Sequence, residues 1–247
     1  MPEPAPLNRH SGPGGADAAE ASQGLLTAAI AREDAERDRL AAALHGVDLA
    51  TLHGDAARIA FWANVYNALL LHARARRPIE GSLLRHRRLF RQASYAIAGQ
   101  RWSLDVIEHG VLRRNARPPL RLRPLLRRGD PRRRAAPTRL DPRVHFALNC
   151  GARSCPPVRV YSPETLDTDL EDATRAYLRA ETVVHRQRGE VELPGLCRLY
   201  ARDFGSRAAL VDFAAVRLDV PAADILRRTE PRRLRFASFD WTLVEAR

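Results

Sequence analysis

The fold is decided by the stretch DAARIAFWANVYNALLLHARAR, residues 55–76. When it is drawn as an α-helix, apolar side chains point in most directions, which is the pattern of a helix buried on all sides. They are Ile59, Phe61, Trp62, Val65, Tyr66, Leu69, Leu70 and Leu71. Asp55 is a favourable N-cap residue and Pro78 cannot continue a helix, so both ends are marked. The sequence therefore predicts a central helix over 56–76, around which the rest of the chain packs.

A second stretch, DPRVHFALNCGARSCPP at residues 141–157, carries side chains that are often used in chemistry. From Val144 to Leu148 apolar residues alternate with His145 and with small or polar residues, which predicts a β-strand. Gly151 and the closing double proline then predict a loop. Strand ends in mixed sheets are common positions for functional residues. We therefore expect a site at the end of this strand.

The remaining segments intermix helices with short hairpins. Residues 24–45 predict one helix or a bent pair, 95–102 predict a hairpin, and 183–193 predict two short strands. Because there is no regular β-α-β alternation, the fold class is α+β. We expect a single domain over 24–247, in which the central helix packs against a small mixed or antiparallel sheet. The tail over 1–23, rich in Pro, Gly and Ala, is predicted to be disordered.

Composition separates this protein from membrane proteins and from disulfide-rich secreted domains. Of its 247 residues 45% are hydrophobic, enough for one sizeable core. No apolar run reaches the roughly 18 residues that a membrane span requires. Three cysteines do not make a disulfide framework in a chain of this length. Since the N-terminal stretch also lacks the apolar region of a secretory signal, we expect a cytoplasmic location with reduced thiols.

The net charge of +12 comes entirely from arginine, because all 41 basic residues are Arg and none is Lys. Such a bias indicates GC-rich coding rather than selection for an anionic partner. Twelve of the arginines lie from Arg113 to Arg143, in a proline-rich segment without aromatic residues. Base stacking needs aromatic side chains, so nucleic acid is disfavoured as a partner. The sequence favours a small molecule or a peptide instead.

His145, Cys150 and Cys155 are the residue types of a thiol nucleophile and its base. The bend that Gly151 permits is needed to bring Cys150 towards His145, whereas Cys155 follows the turn and has the freer geometry. Glu108, on a short predicted helix, is the candidate third member that holds the imidazole in one tautomer. His109, beside it, is predicted to lie on the surface.

Three alternatives to catalysis remain open for the same residues. The histidine and both cysteines can be structural, with the thiols acting as small buried hydrophobes. Cys150 and Cys155 can also form a disulfide or redox pair. A zinc site would need Cys197 as a further ligand, but the spacing of four residues between the first two cysteines is looser than in structural zinc sites. We therefore predict no metal and no cofactor.

Two asparagines lie three residues apart on the central helix. A buried amide costs on the order of 1–3 kcal/mol if it is left unpaired, so Asn64 and Asn67 must each find a partner. Either they line a pocket as amide donors, or they hold loop backbones, such as the 150–157 turn, against the helix. Asn149 and Ser154 in that loop are further candidate binding residues.

Four segments together resemble the family called domain of unknown function 547. They are FWANVYN at 61–67, SLDVIEH at 103–109 with Arg113, the stretch at 141–157, and FDWTL at 239–243. The resemblance covers residues 56–243, and the 141–157 string is specific. It implies no assigned reaction, and because some members are fused to coiled-coil segments it implies interaction roles for some of them.

The order of helix, hairpin and histidine segment is also similar to papain-like and transglutaminase-like thiol folds. Their nucleophilic cysteine begins the central helix, however, where this chain has Trp62 and Asn64. The resulting hypothesis is a thiol-dependent hydrolase or acyltransferase that acts on an amide, ester or thioester without a cofactor. The alternative is a non-catalytic binding or scaffold domain in which the 141–157 stretch is structural.

Overall fold

The long helix α3, Gly54–Arg76, lies at the centre of the protein. The residues described by this computed structural model are 4–10, 12, 17–119, 121–230 and 233–244. Every residue of α3 from Ile59 to Leu70 is buried, which confirms the predicted central helix. No helix in the described part of the chain, α3 included, is long and apolar enough to cross a membrane.

Two helices, α1 (Ala18–Ala31) and α2 (Asp34–Ala43), precede α3. They are separated at Arg32, whose φ of 60° is left-handed and ends α1. α1 packs along α3 and buries Leu25 and Leu26 completely. Of the two predictions for 24–45, the bent pair is the one found.

The predicted disordered tail is corrected at two places. α1 begins at Ala18 because the side chain of Asp17 caps its first turn. Asn8 is also buried, since its amide nitrogen donates to the carbonyl oxygens of Ala41 (2.8 Å) and Ala96 (2.9 Å). These two anchors tie parts of the tail to the core. Its residues 1–3, 11 and 13–16 lie outside the described ones.

The predicted hairpin is confirmed. Its antiparallel strands are β1 (Ser94–Ile97) and β2 (Gln100–Ser103). They are joined by Ala98 and Gly99, whose φ angles of 48° and 72° match a tight hairpin turn that favours glycine. A π-helical turn, Val106–Leu112, follows directly after the hairpin. Such turns are rare and are often found at functional sites.

The second half of the chain builds a smaller core of its own. Its strands β3 (Val183–His185) and β4 (Glu190–Leu193) are antiparallel, and β5 (Arg235–Phe236) joins β4 in parallel. The further helices of the described chain are α4 (Arg88–Gln92), α5 (Leu166–Glu181), α6 (Gly195–Leu199), α7 (Arg207–Ala215) and α8 (Val220–Arg228). Mixed helices and two small sheets confirm the α+β fold class.

The predicted strand in the 141–157 stretch is wrong, because Pro142–Phe146 forms a 3-10 helix. Proline favours the first helical position, and the Asp141 side chain accepts a hydrogen bond from the backbone N–H two residues later (2.9 Å). The helix lies between the two cores, with Val144 packed in the first and Phe146 in the second. The alternation of apolar residues therefore reflects burial on two sides and not a sheet.

Candidate functional site

A cavity of about 320 Å³ is lined by residues from both halves of the chain. Its polar wall residues include Asp105, Glu108, His109, Arg121, His145 and Tyr200. Apolar side chains cover much of the rest, among them Leu83, Phe90, Leu148, Leu196, Phe239 and Trp241. Cys150 and Cys155 also lie in the wall. The space has the mixture of apolar surface and a few polar groups that is typical of small-molecule sites.

His145 is held by a carboxylate that comes from much later in the sequence. Its Nε2 lies 2.8 Å from Oδ2 of Asp203, and the ring of Tyr200 stacks on the imidazole with centroids 3.9 Å apart. Because a carboxylate accepts the Nε2 proton, the neutral ring keeps its lone pair on Nδ1. Burial lowers the pKa of His145, although Asp203 acts to raise it, so the ring is neutral at pH 7.

Arg113 connects this pair to a second histidine. Its Nε and Nη2 donate to the two carboxylate oxygens of Asp203 over 2.5 and 2.9 Å, a bidentate contact. Its Nη1 lies 2.9 Å from Nδ1 of His109. Burial acts to raise the pKa of Asp203, but the hydrogen bonds from His145 and Arg113 outweigh it and hold the pKa at about 2. The carboxylate is therefore charged at neutral pH.

The predicted role of Glu108 as the orienting group is corrected, because Asp203 takes that position. Oε1 of Glu108 accepts a hydrogen bond from the hydroxyl of Tyr200 (2.6 Å), and Oε2 accepts one from Tyr66 (3.1 Å). Burial acts to raise the pKa of Glu108, but neighbouring basic groups and the Tyr200 hydrogen bond lower it overall. Glu108 is thus a buried carboxylate that is bound by two tyrosines and not by His145.

His109 was predicted to lie on the surface, and this is wrong. The residue is only 8% exposed and lines the cavity. The π-helical turn places Glu108 and His109 together in the cavity wall. Burial lowers the pKa of His109 to about 4, and Arg113 adds to this effect, so the ring is neutral at pH 7.

Cys150 and Cys155 are joined in a disulfide. This pairing is one of the alternatives that the sequence left open. Cys197 is a free cysteine buried in the second core, away from the cavity wall. Burial raises the pKa of the Cys197 thiol to about 12, which makes it unreactive at neutral pH.

Asn67 ties the 141–157 stretch to α3. Its Nδ2 donates to the carbonyl oxygen of Ala147, and its Oδ1 accepts from the N–H of Asn149, both over 2.9 Å. Asn64 makes the same two contacts with the backbone of Tyr161, at 2.8 and 2.9 Å. Both amides are therefore engaged with backbone and do not line the cavity.

The loop candidates Asn149 and Ser154 are likewise not part of the cavity wall. The Asn149 side chain bonds the carbonyl oxygen of Pro156 (2.7 Å) and the N–H of Gly151 (2.7 Å). The Ser154 hydroxyl accepts from the N–H of Asp240 (2.9 Å). These contacts stabilise the turn that carries the cysteines.

Sequence reasoning missed Asp203 and Tyr200. Both lie in the segment RLYARDFG, residues 198–205, which begins in the last two residues of the short helix α6. The available signal was a carboxylate set between two aromatic residues, Tyr200 and Phe204, in an otherwise short turn. Nothing in its spacing connects that turn to a histidine 58 residues earlier.

The arginine-rich segment neutralises part of its own charge. Arg132 pairs with Asp130 and Arg143 with Asp141, each over 2.7 Å. No described group of three or more His, Cys, Asp and Glu side chains is arranged to hold a metal ion. The disfavoured role in nucleic-acid binding stays a prediction.

A family model described as "Protein of unknown function, DUF547" matches residues 49–178. The chain belongs to this family. The DUF547 match includes α3, the π-helical turn and the 141–157 stretch, and it ends before Tyr200 and Asp203. No curated protein and no solved structure matches the chain. Family membership therefore supports the first core and its histidine, while the partner of that histidine comes from a part of the chain beyond the match.

Proposed function

We propose that the cavity is the active site of a thiol-dependent hydrolase or acyltransferase acting on an amide, ester or thioester. The observation that carries this proposal is that the Asp203-anchored His145 and both Cys150 and Cys155 line the same cavity. A histidine fixed by a carboxylate is the usual base for a thiol nucleophile. The apolar wall suits the acyl or side-chain group of a small molecule or peptide.

The disulfide must first be reduced. A dithiol reductant supplies two electrons and two protons, so that Cys150 and Cys155 become thiols and the reductant becomes a disulfide. This requirement is met in the cytoplasm, where we propose that the protein works. One of the two thiols then acts as nucleophile, and the other is the thiol that can close the disulfide again.

His145 takes the thiol proton on Nδ1, and the carboxylate of Asp203 stabilises the imidazolium that forms. The thiolate attacks the substrate carbonyl carbon, and the amine, alcohol or thiol leaves with the proton from His145. An acyl-thioester on the enzyme remains. Water completes hydrolysis, or another nucleophile completes acyl transfer, and in either case His145 accepts its proton and the cysteine is regenerated.

The test uses dithiothreitol-reduced protein and p-nitrophenyl acetate as the acyl donor. We expect a burst of p-nitrophenol and a single acetyl adduct, which peptide mass spectrometry locates on Cys150 or Cys155. His145→Ala should abolish the burst, and the oxidised protein should show none. Cys197 is the internal control, because it is buried and should remain unmodified.

Alkylation gives a second readout that does not depend on the choice of substrate. Iodoacetamide at pH 6–7 should label Cys150 or Cys155 of the reduced protein ahead of Cys197, and His145→Ala should slow that labelling. Equal and slow labelling of all three cysteines in the folded protein would contradict the proposal.

One observation favours a second candidate, a non-catalytic binding domain. The disulfide, the Asn67 contacts and the Asn149 contacts together hold the 141–157 backbone rigidly around the cavity. Such a clasp shapes a binding site without any chemistry. This candidate predicts that the oxidised protein binds ligands at least as tightly as the reduced one and that neither forms an acyl adduct.

A further inference from the structure

We propose that Arg113 sets the tautomers of both cavity histidines. His109 then presents an N–H donor to the carbonyl oxygen of a ligand, and His145 presents an acceptor nitrogen to the thiol that attacks the carbonyl carbon. The inference rests on the proposed function in one respect, the use of the same cavity. It adds His109 as the hydrogen-bond donor to the carbonyl oxygen and Arg113 as the positioning residue.

The first step concerns the position of Arg113. Its guanidinium is 3% exposed and lies between Asp203 on one side and His109 on the other. It also lies over the ring of Tyr200, with 4.9 Å between the guanidinium carbon and the ring centre. A planar group held at both edges and on one face has little freedom to turn.

The second step fixes the tautomer of His109. A guanidinium has five N–H donors and no acceptor, so an imidazole nitrogen 2.9 Å from Nη1 must offer a lone pair. The proton of the neutral ring therefore lies on Nε2. The carboxylate of Glu108 does not compete, because it lies 3.5 Å from Nδ1 and already accepts hydrogen bonds from Tyr66 and Tyr200.

The third step fixes the tautomer of His145 in the same way, but with the opposite result for the cavity. Arg113 keeps Asp203 charged and aligned, and Asp203 accepts the Nε2 proton of His145. The nitrogen left over is Nδ1, which is an acceptor. No described residue forms a hydrogen bond with Nδ1 of His145 or with Nε2 of His109, and both rings line the cavity.

Arg113 thus leaves one neutral imidazole with a hydrogen-bond donor for the ligand and the other with an acceptor. The charged and titratable groups that face His109 are Glu108, Arg113, His145 and Arg121, and burial keeps the ring uncharged among them. A neutral imidazole N–H can stabilise the negative charge that develops on a carbonyl oxygen, without itself losing a proton. The ligand class that this pair fits is a carbonyl compound whose oxygen contacts His109 while its carbon faces the thiol that His145 deprotonates.

The tautomers are tested directly by two-bond ¹H–¹⁵N correlation spectra of ¹⁵N-histidine-labelled protein at pH 7. We expect the protonated nitrogen to be Nε2 in both His109 and His145. In Arg113→Lys the ammonium can pair with Asp203 but cannot span both partners, so His109 should become a mixture of tautomers while His145 keeps its own. His72, which lies outside the cavity wall, should be unchanged. A proton on Nδ1 of His109 in the unaltered protein overturns the proposal.

The donor role is tested by a matched pair of variants, His109→Gln and His109→Leu, with p-nitrophenyl acetate and reduced protein. The glutamine amide can replace the Nε2–H donor, whereas leucine cannot. We expect leucine to slow acylation by about 100-fold and glutamine to restore most of the rate. Equal rates in both variants would show that His109 donates nothing to the carbonyl. If no variant and no unaltered protein is acylated, the proposed function fails, and the spectra still decide the tautomers.

Discussion

His72 and His145 are both buried histidines with an aspartate beside Nε2, yet only His145 lines the cavity. Nδ1 of His72 bonds the hydroxyl of Tyr95 (2.9 Å), and Nε2 accepts a hydrogen bond from Nε of Arg76 (3.3 Å), with Asp38 beside it. Both ring nitrogens are therefore occupied by protein. His145 has Asp203 on Nε2 and no described partner on Nδ1.

The comparison extends to the neighbours of the two rings. Arg37 stands next to Asp38 as Arg113 stands next to Asp203, and a tyrosine contacts each imidazole. The same four residue types thus build a closed network around His72 and an open one around His145. Residue types alone therefore do not distinguish the two networks. The difference between them is that one ring nitrogen of His145 has no described partner, in a ring that lines the cavity.

The largest expected effect is the difference in acylation rate between replacing Asp203 and replacing Asp38. Asp203→Asn should slow acylation of the reduced protein by about 10⁴-fold, because the amide no longer holds His145 in the right tautomer. It should also cost on the order of 3–5 kcal/mol of unfolding free energy, since Arg113 loses its buried partner. The matched variant Asp38→Asn should leave acylation unchanged. Burst kinetics and urea unfolding measure both, and equal kinetic effects would break the comparison.

Next in size is the contrast between the two asparagines of α3. Asn67→Ala and Asn64→Ala should each cost about 2–4 kcal/mol, because each leaves a buried backbone N–H and C=O without a partner. Only Asn67 holds the 141–157 stretch, so only its replacement should also change the rate of iodoacetamide labelling at the cavity cysteines. Urea unfolding and labelling kinetics on both variants check this. A similar loss of labelling in Asn64→Ala would show that general loosening is responsible.

A smaller effect is expected from acid. Burial lowers the pKa of His72 and of His109 to about 4, against 6.5 for an unperturbed histidine. Between these values the unfolded chain binds more protons than the folded one, so stability falls as the pH drops from 6.5 towards 4. Asp105 acts in the opposite sense, because burial raises its pKa to about 6 and the folded protein takes up that proton first.

The net loss should be on the order of 2 kcal/mol between pH 6.5 and 4. Urea unfolding at half-unit pH steps measures it. His72→Gln and His109→Gln should each reduce the dependence of the unfolding free energy on pH. The two reductions show how much of the pH dependence comes from each histidine. A stability that does not change over this range would contradict the burial of neutral rings in both.

The smallest expected effect compares the two tyrosines. Tyr95→Phe removes the partner of His72 Nδ1 and should cost about 1 kcal/mol without changing acylation. Tyr200→Phe removes a hydrogen bond to Glu108 at a similar cost but keeps the ring stacked on His145. It should also alter the acylation rate, because it changes how the Glu108 charge is held near the base. Thermal unfolding and burst kinetics distinguish the two variants. An effect of Tyr95→Phe on acylation would contradict the expected difference between the His72 and His145 networks.

Local patterns explain which parts of the fold could be predicted. The apolar run of α3 and the Gly99 turn are strong because each depends only on neighbouring residues. The predicted strand in the 141–157 stretch was wrong because alternating apolar residues are also compatible with a short helix buried between two cores. The burial of His109 could not be predicted, because the cavity that it lines includes residues from the second half of the chain.

The sequence by itself determined the α+β class, the central helix and the family, and it predicted the histidine of the candidate site. Only the tertiary structure decided that Asp203 holds His145, that Arg113 also reaches His109, and that His72 is closed. Hydrogen bonds between residues 58 or 90 positions apart leave no periodic trace in a single sequence. They form because the two cores pack against each other, and that packing chooses which polar groups are buried together.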